Sequence, residues 1–181
     1  AYDLAVRLDD QRGKAKDTGV LGLLLASLGR FDEAMPRLEQ SIALKRKLGA
    51  VRAEAESLTN LSSLYVQLGR YSEAADAAAR AVELDQRIGA QDKEIEALTD
   101  LALAELALGR LKEADTALRR ARQLSVGLAS PADMALVMAL SAEASDRLSQ
   151  QARAAREVEE ALAHAGSTGC APMREAAVKN I

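Results

Sequence analysis

The sequence predicts an all-α fold, a solenoid of antiparallel helix pairs with about four repeats and partial helices at both ends. Three observations predict it. The 181-residue chain repeats itself every 40 residues, and a period of that size marks a stacked array. Within a unit, apolar residues recur at helical spacing, as Leu58, Leu61, Tyr65 and Leu68 do. The composition agrees. Hydrophobic residues make up 49%, enough for a core, while aromatics are 2% and prolines number 3. Alanine is abundant and β-branched residues are sparse, which favours helix over strand.

The period is read from Gly29, Gly69 and Gly109. Each follows Leu and precedes Arg, and then comes Phe31, Tyr71 or Leu111. Glu33-Ala34, Glu73-Ala74 and Glu113-Ala114 follow in step. The segments 57–64 and 97–104 match, as do 44–50 and 84–90. A fourth copy is degenerate, with Ser149 where the glycine would fall. Residues 1–10 resemble 77–86, with a connection to the next helix about four residues shorter.

The elements follow in order. Residues 1–12 are a partial repeat helix, and 17–50, 51–90, 91–129 and 130–166 are repeats one to four. Residues 171–181 begin a further helix. The first repeat pairs helices over 17–28 and 32–48, the second over 52–68 and 72–88, the third over 91–108 and 112–126. The fourth pairs 131–148 with 150–165. Gly69 ends its helix because a glycine takes the left-handed conformation without Cβ strain, and Gly89 ends the next. Ser72 and Asp32 are expected as N-caps, and Ser130-Pro131 as another helix start. Pro36 falls within or just past a first turn, where a missing N–H costs little. The whole reads as one domain, 1–181, and the absence of an initiating Met suggests a piece of a longer protein.

This pattern resembles the tetratricopeptide repeat (TPR) family. Leu61, Tyr65, Leu68-Gly69, Tyr71, Ala74 and Ala81 carry the resemblance in the second unit. Leu21-Gly22, Leu28-Gly29, Phe31 and Ala34 carry it in the first, and Leu101-Ala102, Leu108-Gly109, Ala114 and Ala121 in the third. The 40-residue unit is longer than the usual one, similar to Pins-type adaptors and to TPR regions of bacterial signalling proteins. Ala78 and Glu105 stand where the family has bulkier residues, so thinner interfaces are expected there.

The resemblance implies a right-handed superhelix whose first helices line a concave groove for a peptide or partner helix. The groove positions are then Val20, Leu23 and Ser27 in unit one, and Thr59, Asn60, Ser63 and Gln67 in unit two. Thr99, Asp100, Leu103 and Leu106 follow in unit three, and Leu140, Glu143 and Arg147 in unit four. Asn60 and Gln67 offer donors and acceptors suited to a peptide backbone. Packing between neighbouring helices is the plain alternative for each of them. Gly19 and Leu23 stand where chaperone-binding relatives carry their carboxylate clamp, so that ligand is not expected.

The sequence carries no catalytic constellation. His164 and Cys170 are the only histidine and cysteine, too few for a structural zinc site and better read as a helix-end histidine and a separate half-buried thiol than as a nucleophile pair. The segment 165–170 has glycines and hydroxyls but no phosphate-loop lysine. Net charge is −3, so nothing points to nucleic acid or anionic membranes. Lys45-Arg46-Lys47 reads as a solvated helix end complementing the helix dipole. No run of about 18 apolar residues exists to span a membrane. No enzyme activity, cofactor or metal is expected, and the location expected is cytoplasmic.

The leading reading is a protein–protein interaction module, a scaffold that binds a partner's peptide or helix in its groove. A second is a peptide-sensing regulatory domain controlling an attached kinase, ATPase or transcription regulator, in a signalling role. A third is weak self-association through the Ala-rich faces.

Overall fold

In a computed structural model, residues 2–125 and 136–152 are described, with side chains from Asp10 onward. All the regular structure among them is helical. The helices are α1 (Tyr2–Ser27), α2 (Phe31–Lys47), α3 (Val51–Gln67), α4 (Tyr71–Ile88), α5 (Gln91–Ala107) and α6 (Leu111–Ser125). Residues 136–152 are also helical. By its contacts the chain divides into two compact units, Ala1–Ser141 and Ala142–Ile181. In the first, α1 packs on α2, α3 on α4 and α5 on α6, each a hairpin, so the all-α solenoid of helix pairs is the fold.

The Leu-Gly-Arg motif makes each hairpin. After α3, Leu68 keeps helical dihedrals and Gly69 turns left-handed at φ 71°. The Gly69 and Arg70 amides then donate back to the carbonyls of Val66 (3.0 Å) and Tyr65 (2.8 Å), satisfying the carbonyls a helix end leaves open. Arg70 lies over the Tyr65 ring, 4.6 Å from its centroid, and its Nε donates to Glu73 at 2.8 Å. Arg30 and Glu33 repeat the pair in unit one at 2.7 Å. The expected N-caps are corrected by this. Arg30 and Arg70 hold the cap position without a side-chain cap bond. Asp32 and Ser72 lie two residues past the cap position, inside the helix, because the backbone turns helical directly after the arginine.

The core follows the predicted stripes. Leu58, Leu61, Leu64 and Tyr65 are buried in α3, and Ala74, Ala78 and Ala81 are fully buried in α4. Ser62 Oγ donates to the carbonyl of Ala74 at 3.0 Å, so these two helices touch backbone to side chain. In α1, a Cβ on Gly22 would stand 2.8 Å from Leu38 Cγ, so only glycine admits the closeness of α1 to α2.

The units do not stack equally. α4 packs on α5 about as extensively as the members of a hairpin pack on each other, and α3 also reaches α5. α2 meets α3 far more sparsely, and α1 has little or no contact with α3. Residue size differs between the two second helices. Met35 and Leu38 on α2 occupy the 40-residue frame positions of Ala75 and Ala78 on α4. Leu38 packs beside Gly22 of α1, within the first hairpin. Ala78 is fully buried. Glu105 is buried and pairs with Arg110 across 3.4 Å.

Three further expectations change. The break expected between 12 and 17 is absent, and α1 runs straight through Gly13. Lys14, Ala15 and Lys16 favour helix there, one interior glycine costs only about 1 kcal/mol against alanine, and buried Ala15 is anchored by Ser41 Oγ on its carbonyl at 2.6 Å. Ser149 lies inside the helix 136–152, its Oγ donating to the Asp146 carbonyl at 2.8 Å; without glycine no left-handed turn is cheap there. Lys45 and Arg46 are not simply solvated. Lys45 Nζ donates to Ser57 Oγ at 2.5 Å and Arg46 Nε to buried Glu54 at 2.7 Å, both across the α2–α3 junction. Pro36 is inside α2, exposed. The Ser130-Pro131 start, His164, Cys170 and the 165–170 loop lie outside the described residues.

Candidate functional site

The groove positions of units two and three lie along α3 and α5, the two first-of-pair helices that touch. Glu56, Asn60, Ser63 and Gln67 recur at 4, 3 and 4 residues on α3, one helical face. On α5 the same frame brings Glu96, Asp100, Leu103 and Ala107. Ser63 Oγ donates to Asp100 Oδ2 at 2.5 Å, tying the two helices together at mid-length. Burial pushes the Asp100 carboxyl above its ordinary range, the Ser63 hydrogen bond opposes this, and Glu96 adds to it.

Toward the helix N-termini the tie opens into a pocket of about 240 Å³ lined by Glu56, Thr59, Asn60, Lys93 and Glu96. Asn60 is exposed and its amide free to point outward, while Thr59 returns its hydroxyl to the carbonyl of Ala55 at 3.3 Å. Lys93 Nζ donates to Glu96 at 2.8 Å, and that bond holds its ammonium above the usual lysine range. The pocket therefore presents carboxylates, one ammonium and a primary amide side by side. Such a surface can bind peptide amides and charged side chains, and it contains no nucleophile with an adjacent base. Among the described residues no group of three His, Cys, Asp or Glu side chains could hold a metal, and no helix is long and apolar enough to cross a membrane.

The other expected positions separate. Thr99 and Leu106 are buried, 8% and 3% exposed, and are corrected from groove to core. Both share the stripe of Ile95 and Ala102, and the frame partner of Gln67 is Ala107 rather than Leu106. Leu103 is half-buried beside Asp100's face. Val20, Leu23 and Ser27 are exposed on α1, which has little or no contact with α3, so they form a surface of their own. Leu140 is buried. Glu143 and Arg147 face each other across 3.4 Å in the second unit. The sequence reading missed Glu56, Lys93 and Glu96. Extending the Asn60-Ser63-Gln67 stripe one turn toward the N-terminus would have found the two glutamates.

Stacked helix pairs with a polar seam between successive first helices define a helical-repeat solenoid. The chain belongs to the tetratricopeptide repeat family, whose model matches residues 17–87 and 54–125, and such repeats are in general protein–protein interaction modules. In fold it resembles the crystal structure of BtubC (BKLC) from P. vanneervenii, with a TM-score of 0.68 and 18% identity, over 86% of this chain and 65% of that one. No curated protein matches.

Proposed function

We propose that the α3–α5 groove captures an extended peptide segment of a partner protein, with Asn60 and Gln67 bonding its backbone and Glu56 and Glu96 receiving a donor side chain. The observation that supports this most is the Ser63–Asp100 bond of 2.5 Å beside the open pocket. It fixes the spacing of the two helices before any ligand arrives, and preorganised sites lose less entropy on binding. An attached effector, if the chain serves one, would read the same occupancy.

The test is capture of partner proteins by the 181-residue chain and by its Asn60→Ala/Gln67→Ala variant. Both side chains are exposed, so helicity should stay unchanged. Capture should fall on the order of tenfold, the worth of two lost hydrogen bonds. Undiminished capture would move the site off this face.

A further inference from the structure

The charges around the α3–α5 pocket are unevenly matched. Glu56 of α3 and Glu96 of α5 line it from its two helices, with Asn60 beside them and Lys93 as the cation in its wall. Lys93 is bonded to Glu96 at 2.8 Å. Glu56 is exposed and, among the described residues, enters no ion pair. The glutamates two residues before each of them differ in this. Glu54 is paired with Arg46 at 2.7 Å and Glu94 with Arg120 at 2.9 Å.

A further carboxylate stands behind the pocket. Asp85 of α4 is buried, and neither of its oxygens has a hydrogen-bond partner, an exception among buried polar groups. The repeat frame locates it. Lys45, its counterpart in unit one, donates to Ser57, and its Nζ lies 3.5 Å from where a Cβ on Gly19 would stand. The counterparts of Gly19 and Ser57 are Thr59, a wall of the pocket, and Ala97, which has no polar side chain to offer. Glu56, Asp92, Glu94 and Arg52 all act on the Asp85 charge, and a pKa of about 6 leaves it ionised at neutral pH. At this end of the seam the carboxylates of Glu56, Asp85, Asp92, Glu96 and Asp100 outnumber the cations Lys45, Arg52 and Lys93. Such a field draws in a cation and repels a peptide's acidic side chains and its carboxylate terminus.

We infer that the pocket takes an arginine side chain of the bound peptide, its guanidinium set between Glu56 and Glu96 in place of the Lys93 ammonium. The inference rests on the peptide reading above and names the residue that the groove selects. Two carboxylates on different helices, with the Asn60 amide oxygen beside them, present acceptors from more than one direction. A planar guanidinium with five N–H donors matches that arrangement, whereas an ammonium is a compact charge with three. Lys93 is half-buried on a flexible stem, so it can swing to solvent when a better-matched cation arrives.

Selection from a display library of random short peptides on the 181-residue chain tests this. The selected peptides should be enriched in arginine. Replacing that arginine by citrulline, which keeps the shape and removes the charge, should weaken a synthetic peptide about tenfold or more. Glu56→Gln/Glu96→Gln should weaken the arginine peptide by a similar factor, leave the citrulline peptide nearly unaffected, and keep helicity unchanged. Peptides that depend on Asn60 and Gln67 yet show no arginine enrichment, a citrulline peptide as tight as its arginine parent, or an arginine peptide indifferent to Glu56→Gln/Glu96→Gln would each overturn the inference and leave the peptide reading standing. No peptide selected, or selection indifferent to Asn60→Ala/Gln67→Ala, would overturn both.

Discussion

The junction of units one and two and the junction of units two and three occupy the same positions of a 40-residue frame, yet they are filled differently. At the first, α2 carries Met35, Leu38 and Ile42, all buried, with Lys45 bonded to Ser57 and Arg46 to Glu54. At the second, α4 carries Ala75, Ala78 and Val82, with Asp85 in the place of Lys45. α2 meets α3 sparsely, and α1 has little or no contact with α3. α4 packs closely on α5, and α3 reaches α5, where Ser63 and Asp100 bond. The candidate groove is placed at the second junction and not at the first for that reason. In a repeat protein whose stability is a sum of unit and neighbour terms, the closeness of each junction thus decides where a binding surface can form.

Removing bulk from the first hairpin should have the largest effect. Leu38 is 2% exposed and packs beside Gly22 of α1, and Leu38→Ala is expected to cost about 2–5 kcal/mol in chemical denaturation. A cost under about 1 kcal/mol would show that the α1–α2 contact is loose, and that the first hairpin and not only its junction with α3 differs from the second.

Asp85 gives the next effect. It is 1% exposed and neither carboxylate oxygen has a hydrogen-bond partner. Burial pushes its pKa up to about 6; Asp92, Glu56 and Glu94 act in the same direction and Arg52 against it. An acid whose folded pKa is raised stabilises the fold when protonated. Its contribution is complete below the unfolded value of 3.8 and is lost as pH rises through about 6. Asp85→Asn, a neutral stand-in, should therefore match the parent chain near pH 4 and exceed its stability near pH 8 by on the order of 2 kcal/mol. A difference that stays constant over this range would mean that Asp85 has found a partner or water at the tighter junction.

Much of the architecture was legible in the sequence because it is periodic. The glycine turns, the stripes through Leu61 and Tyr65, and the alanine contact at Ala74 each recur in phase, so one copy checks another. What escaped was local and aperiodic. A break was expected between 12 and 17, but the residues there favour helix and α2 holds Ala15. Ser72 had the chemistry of a cap and stood two residues late. Leu106 was placed one residue off the frame, which on a helix moves a side chain by about 100°, from core to groove. Glu56 and Glu96 looked like ordinary solvated charges, and only the approach of α3 to α5 sets them around one pocket with Asn60. Asp85 is unreadable from its own segment, since its burial comes from the packing of α4 with neighbouring helices.

Native-state hydrogen exchange tests the central claim most directly, because it reads the opening of each helix pair separately. The amides of α1 and α2 should exchange through openings of lower free energy than those of α3 to α5, which should open together as one body. Equal protection across α1 to α5, or stronger protection in α1 and α2, would contradict the unequal junctions and with them the reason for placing the groove between α3 and α5.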